Sequence, residues 1–263
     1  MVVMKTLAII LNYNTGDMTD KLYEFLSDVT EEICDLIVFD NNSKKQSESK
    51  YTNIKSNENL YWGGALNKAF DLVLNSDKYD SLIFINSDIM PRQENFLNNF
   101  ISNFRNSDCE ILSPSVNEFQ HGARGGKNHD GLVVWKQMAN WRSNKIRYVR
   151  MIDLQCPMFS KNIISKIKKF DSSLDYGSGQ ETLLGIICES VGWKIGVDDR
   201  LLIDHEGQAS HKIVNKNEVF EPNKTISDLA NENWELYQKK HKIVRISRWY
   251  RNNYRRKYRY YSE

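Results

Sequence analysis

Short apolar runs that stop abruptly at polar residues constrain this chain more than anything else in it. The sharpest is Phe84-Ile-Asn-Ser-Asp88, where a hydrophobic stretch ends in a polar pair and a carboxylate. Three earlier segments repeat the theme: Leu11-Asn-Tyr-Asn14, Phe39-Asp-Asn-Asn-Ser43 and Asn59-Leu-Tyr-Trp-Gly-Gly-Ala-Leu-Asn67. Each follows or opens a regular element and puts polar groups at its edge. Ligands of open α/β sheets bind beyond the carboxyl ends of the strands. A row of polar strand ends therefore describes one crevice. Asp88, at the end of the fourth strand, stands where a divalent cation could hold a diphosphate.

The spacing of apolar residues predicts strands at Thr6–Asn12, Leu36–Asp40, Thr52–Ser56, Ser81–Asn86 and Glu110–Ser113. Helices are predicted at Asp17–Asp28, from Trp62 onward, and from Pro91 to about Arg105, proline suiting a first helical turn. This alternation argues for a right-handed, mostly parallel sheet flanked by helices. It stops at residues 117–150, a glycine-rich stretch that reads as a long loop or hairpin region of the kind that carries function; of its residues His121, Arg124, His129, Trp135 and Trp141, the aromatics fit stacking on an acceptor sugar and anchoring of the loop equally. Beyond it, Met151–Ser160, Lys194–Val197 and Leu201–Asp204 read as strands. Asn162–Lys169, Glu181–Val191 and Ile226–His241 read as helices, the last with Leu229, Trp234 and Tyr237 as core contacts.

Four scattered cysteines without a Cys-x-x-Cys pair read as reduced thiols. The apolar start is too short for a secretory signal, and no segment reaches the roughly 20 apolar residues that span a bilayer. A cytoplasmic location is expected. The net charge of +2 hides an asymmetry: residues 241–263 carry eight Lys or Arg against Glu263, a +7 tail on a −5 body. On an ideal helix, Ile243, Ile246, Tyr250, Tyr254, Tyr258 and Tyr261 share one face of that tail. This is the pattern of a helix lying on an anionic membrane, here the inner face of the cell membrane. A solvated helix or one docking on another subunit fits the pattern too. Nucleic acid is not expected as the partner of an acidic body.

The four polar segments, in this order and spacing, resemble the N-terminal half of the inverting family 2 glycosyltransferases. Asp40-Asn-Asn-Ser43 matches that family's pattern without change. Trp62-Gly63-Gly64 with Asn67 matches nearly as well, with Tyr61 where a glycine is usual. Asn86-Ser87-Asp88 keeps only the last carboxylate of an Asp-x-Asp. The resemblance implies a GT-A fold over residues 1–240, with a nucleotide-sugar half at 1–115, an acceptor and catalytic half at 116–240, and the basic tail at 241–263. It implies transfer from a nucleotide diphosphate sugar, most simply UDP-linked, to a glycan or lipid-linked glycan of bacterial surface polysaccharide synthesis, with Mn²⁺ or Mg²⁺. The departures also suit a non-catalytic subunit that binds nucleotide sugar or glycan.

Residue by residue, the resemblance places the donor on Asn12, Tyr13, Asn14, Asp40, Asn42, Trp62, Gly63, Asn67, Asn86 and Ser87, with Cys156 in a turn beneath the donor sugar. Asp40 would accept a hydrogen bond from the base, although Asp-Asn-Asn-Ser is also ordinary turn chemistry. The glycines would let backbone and helix N-terminus approach phosphate, or simply make a turn. Asp88 would hold the metal, or cap a helix starting at Pro91. His205, in Asp204-His-Glu-Gly207, would add a second ligand. Glu181, in the segment from Phe170 to Thr182, falls on the family's base, with Asp175 in reserve. Ser178-x-x-Glu181 also reads as a capping box.

Overall fold

The computed structural model describes residues 4–116, 144–177, 179–206 and 226–241. Nine strands form one sheet: β1 (Lys5–Asn12), β2 (Cys34–Asp40), β3 (Thr52–Lys55), β4 (Tyr79–Asn86), β5 (Ile89–Pro91), β6 (Cys109–Val116), β7 (Ile146–Val149), β8 (Met158–Ser160) and β9 (Lys194–His205). Among the described residues six α-helices accompany them: α1 (Gly16–Leu26), α2 (Tyr61–Leu74), α3 (Phe96–Arg105), α4 (Lys161–Ile167), α5 (Gln180–Val191) and α6 (Ile226–Lys240). The sheet order is β3-β2-β1-β4-β8-β6-β9-β5, with β7 also paired to β9. The first four strands pair in parallel, as does β6 with β9, while β8, β5 and β7 join antiparallel.

Alternation along β1 explains the layers. Leu7, Ile9 and Leu11 face one core with Ala65, Leu66, Ala69, Phe70 and Val73 of α2 and with α4 and α5. Ala8 and Ile10 face the other, against Leu22 and Leu26 of α1 and Phe96, Phe100 and Phe104 of α3. Both faces of the central strands are thus covered, as their unbroken apolar character requires. Register then fixes the crevice: Asn12 lies beside Asp40, and Leu11 beside Asn86. The polar residues come level because each strand's apolar run ends at the same layer.

Three readings of the sequence need correction. Pro91 does not start a helix. It ends β5, which pairs antiparallel with Ile203–His205 of β9, and α3 begins only at Phe96 after Asn95 in a left-handed conformation (φ 53°). Second, residues 151–157 are irregular and only Met158–Ser160 is a strand. The segment still runs beside β4, whose Phe84 and Asn86 amides donate to the carbonyls of Pro157 and Gln155; Pro157 has no N–H to return to a ladder.

Third, Lys194–His205 is one strand rather than two. Its register against β6 jumps from Pro114↔Asp198 to Ser115↔Leu202, so Asp199, Arg200 and Leu201 bulge out. Two fully buried carboxylates hold the bulge. Asp198 is gripped by Arg200 and Asn103, and Asp199 by Arg147 and Ser115. Buried charges persist only when paired this fully.

The helix α6 lies where predicted, but Leu229, Trp234 and Tyr237 are half-buried, while Ala230 is buried. Among the described residues no helix is long and apolar enough to cross a membrane. The named residues of the 117–150 segment, Ser178, Gly207 and the tail beyond His241 lie outside the described residues.

Candidate active site

The ends of β1 and β2 form a closed polar knot. The Asn12 amide donates to Asp40 Oδ2 (2.7 Å), Ser43 Oγ (3.2 Å) and the Ser47 carbonyl (3.3 Å). Its oxygen accepts from the Thr15 amide and from the hydroxyls of Thr15 and Thr19. Asp40 Oδ1 accepts from the Ser43 amide at 2.8 Å, and Asn42 takes a left-handed φ of 67°. The turn chemistry of Asp-Asn-Asn-Ser is therefore real, with asparagine at the position that favours it. Asn12 and Asp40 are both fully buried. They hold the turn; Tyr13 and Asn14 beside it are half-buried, and Asn42 and Lys44 are exposed. Asn41 carries the knot onward, accepting from the Leu60 amide and donating to Asn59 Oδ1 and the Tyr61 carbonyl.

At the end of β4 three side chains diverge. Asn86 Oδ1 accepts from the indole of Trp62 (2.9 Å), and Ser87 bonds the Thr15 hydroxyl (2.7 Å). Asp88 Oδ1 lies 3.3 Å from His205 Nε2, because β5 pairs Ile89 with His205. Asp88 caps no helix, since the next one starts at Phe96. Burial works to lower the His205 pKa, but its hydrogen bond to Asp88 and the charges of Asp88 and Asp153 prevail and raise it. Among the described residues no group of three or more His, Cys, Asp or Glu could hold a metal. Asp88 and His205 still fit as two ligands of one ion. Donors at right angles with bonds of about 2.1 Å stand about 3 Å apart, and Mg²⁺-type ions take one or two protein ligands and fill the rest with phosphate and water.

The segment after Phe170 wraps over the start of α2. Gly63 donates its amide to the Asp175 carbonyl (2.7 Å), and a Cβ there would sit 2.7 Å from the Leu174 carbonyl. The glycine thus serves a close approach of protein to protein, not to phosphate. Asn67 is likewise committed: its oxygen accepts from the Phe170 amide (2.8 Å) and its amide donates to the Phe170 carbonyl (3.1 Å), both buried. It is a staple between halves of the chain, and the expectation that it reaches the donor is corrected accordingly. Cys156 is corrected too. It is fully buried in the α3-side core, where burial pushes its thiol pKa up, rather than lining the crevice.

Asp175 sits in the turn that follows the 3₁₀ segment Ser172–Leu174. Its Oδ1 is buried and receives no hydrogen bond. Burial raises its carboxyl pKa; Lys169 draws it down and Asp171 pushes it up. Glu181 occupies the first turn of α5, its Oε1 3.4 Å from the Gly179 amide, the position of a cap. Gln180 is fully buried and donates to the Leu174 carbonyl. Gly179 is the N-cap, with φ 93°, and the ring of Trp234 lies against it so closely that no side chain would fit. Sequence reasoning missed Gln180 and Trp234 as supports of this turn, and Asp153 beside His205. The Asp198-Asp199 doublet inside an apolar strand was a visible signal of the clamp.

No family model matches the sequence, and a search of curated protein sequences found no match. Solved structures do match in fold. One is the crystal structure of GalNAc-T7 with UDP, GalNAc and Mn²⁺, at a TM-score of 0.58 and 10% identity, covering 77% of this chain and 44% of that one. Another is the mannosyltransferase PcManGT from Pyrobaculum calidifontis in complex with GDP-Man and Mn²⁺, at 0.56 and 11%, covering 80% and 60%. The chain spans about half the length of these solved proteins. The architecture is the GT-A fold.

Proposed function

We propose that this chain is a glycosyltransferase that moves a sugar from a nucleotide diphosphate donor to an acceptor hydroxyl with inversion, and that Asp175 is its base. One observation carries the reading. The β4 end carries the buried Asp88–His205 pair, and the turn beside α2 carries a carboxylate with an unbonded buried oxygen, Asp175. They are linked through Asn86, Trp62 and the turn that Gly63 grips. The two similar structures, one holding UDP and the other GDP-Man, each with Mn²⁺, support the donor class.

In the reaction the acceptor oxygen attacks the anomeric carbon as the bond to the diphosphate oxygen breaks. The acceptor proton passes to Asp175, whose raised pKa makes it a stronger base than an exposed aspartate. A divalent ion held by Asp88 and His205 would supply charge neutralisation to the leaving diphosphate. Tyr13, Asn14 and Asn42 form the open rim for the nucleoside, over a turn that Asn12 and Asp40 keep rigid. Glu181 is the competing base on resemblance, but its position is that of a helix-start cap. A UDP-sugar donor and a bacterial surface polysaccharide, or its lipid-linked precursor, as acceptor complete the reading, with the basic tail resting on the anionic inner face of the cell membrane.

The reduced Asp-x-Asp at Asn86-Ser87-Asp88 favours a second reading, a binding subunit without turnover. Donor hydrolysis by the full chain, with and without Mn²⁺, separates them. Metal-stimulated release of UDP or GDP from its sugar nucleotide supports the transferase. Tight nucleotide binding with no release at any metal concentration supports the subunit.

A further inference from the structure

Tyr61 is held in a conformation that its side chain disfavours. Its φ of 53° is left-handed, and among non-glycine residues a bulky aromatic is an unusual occupant of that region. Glycine would take the position without cost, so the ring must earn its place. That ring meets Tyr176, with centroids 4.5 Å apart and planes tilted by 52°. Both tyrosines are half-buried, leaving part of each ring open. Tyr176 directly follows Asp175, and Tyr61 begins the helix whose Gly63 and Gly64 lie against Asp175. The pair therefore borders the carboxylate assigned above as the base.

We propose that Tyr61 and Tyr176 form the acceptor subsite, an aromatic wall that takes the apolar C–H face of a pyranose ring and so turns one of its hydroxyls toward Asp175. The chemistry recognises a sugar ring rather than a flexible polyol. A pyranose offers a flat patch of C–H groups to the negative face of an aromatic ring. Backbone strain kept beside a reactive group is the kind of outlier that points to function. This inference rests on the transferase reading, since it supplies the acceptor for the same base.

The test uses the full-length chain with Mn²⁺ and UDP or GDP. The probes are methyl β-D-galactopyranoside, methyl β-D-glucopyranoside and methyl α-D-mannopyranoside, with glycerol as the acyclic control, followed by saturation-transfer NMR. The wild type should show contact to the ring C–H protons of at least one pyranoside and none to glycerol. Tyr61→Gly should weaken that contact by about tenfold, the upper worth of one aromatic contact. It should leave nucleotide affinity unchanged and the melting temperature equal or higher, because glycine relieves the backbone. Tyr176→Ala should lose the same contact.

Undiminished pyranoside contact in Tyr61→Gly, or no pyranoside contact in a wild type that binds nucleotide, overturns the wall alone. A Tyr61→Gly chain that melts lower and binds nucleotide more weakly also overturns it, showing the ring to be packing. A wild type that binds neither nucleotide overturns the transferase reading and the wall with it.

Discussion

The two sides of the crevice are built in opposite ways. On the side proposed for the donor, both ends of the Asn12 amide and both oxygens of Asp40 are bonded within the protein, and both residues are fully buried. On the side proposed for the acceptor, Asp175 keeps a buried oxygen with no partner and a raised pKa, and Gln180 keeps a buried Oε1 with none. A saturated polar network fixes one geometry. An unsatisfied buried carboxylate costs stability and is retained where it has a task. The contrast teaches that the Asp40-Asn-Asn-Ser43 turn is locked by its own hydrogen bonds, while Asp175, the base of the proposed mechanism, is left with a buried oxygen that receives none.

The largest effect should come from Asp175→Asn. Removing the proton acceptor should lower turnover by about 10²–10⁴-fold, the range of a general base, with UDP affinity by calorimetry unchanged. Glu181→Gln should stay within roughly tenfold of wild type, as loss of a weak cap would. A larger loss in the Glu181 variant would break the comparison by moving the chemistry into the helix start.

Next in size is Asn12→Ala. It removes a buried side chain whose amide nitrogen faces three acceptors and whose oxygen faces three donors. It also strips Asp40 Oδ2 of its donor. A cost of about 3 kcal/mol or more in urea unfolding is expected, since a buried acceptor without a partner bears its full desolvation penalty. Unfolding within about 1 kcal/mol of wild type would show that water enters and that the donor side is as open as the acceptor side.

A smaller effect tests the hinge between the two sides. Asp88→Ala should abolish the gain in UDP affinity that Mn²⁺ provides, by roughly 10–100-fold, no less than losing a partner behind a metal ligand does. UDP affinity without metal should not change. Asp40→Ala should weaken UDP with or without Mn²⁺. Equal UDP affinity with and without Mn²⁺ in the wild type would remove the cation from the site.

What the sequence made legible follows from range. The knot at β1 and β2 was readable because it joins strand ends by turn chemistry that neighbouring residues encode, Asp40 to Ser43 and Asn12 to Thr15. Asp88 and His205 were both named, yet their meeting depends on β5, a three-residue strand that looked like a helix start because of Pro91. The roles of Asn67 and Gly63 were misread because their partners, Phe170 and Asp175, lie more than 100 residues away. The cap position of Glu181 was already legible in Ser178-x-x-Glu181. The buried, unbonded oxygen of Asp175 had no such signal, because it depends on the packing of that turn against α2.

The smallest effect is the most specific to the contrast. Burial raises the Asp175 carboxyl above its ordinary value in the folded chain, so the folded state holds this proton more tightly than the unfolded state. Below the ordinary aspartate pKa of about 3.9 both states are protonated and the site costs nothing. As pH rises from there through the folded-state pKa, the unfolded chain releases its proton more readily, and stability falls. At neutral pH the native protein thus carries the full penalty of an ionised, half-buried carboxylate. Asp175→Asn removes it. The variant should melt about 1–2 °C higher at pH 7, a modest gain because solvent screens the exposed part of the group, and should match wild type near pH 3. The donor side should show nothing similar: Asp40→Asn, at a carboxylate already bonded on both oxygens, should melt lower at pH 7. A gain for Asp175→Asn that persists unchanged at pH 3 would trace to packing instead of charge, and would dissolve the distinction between the two sides.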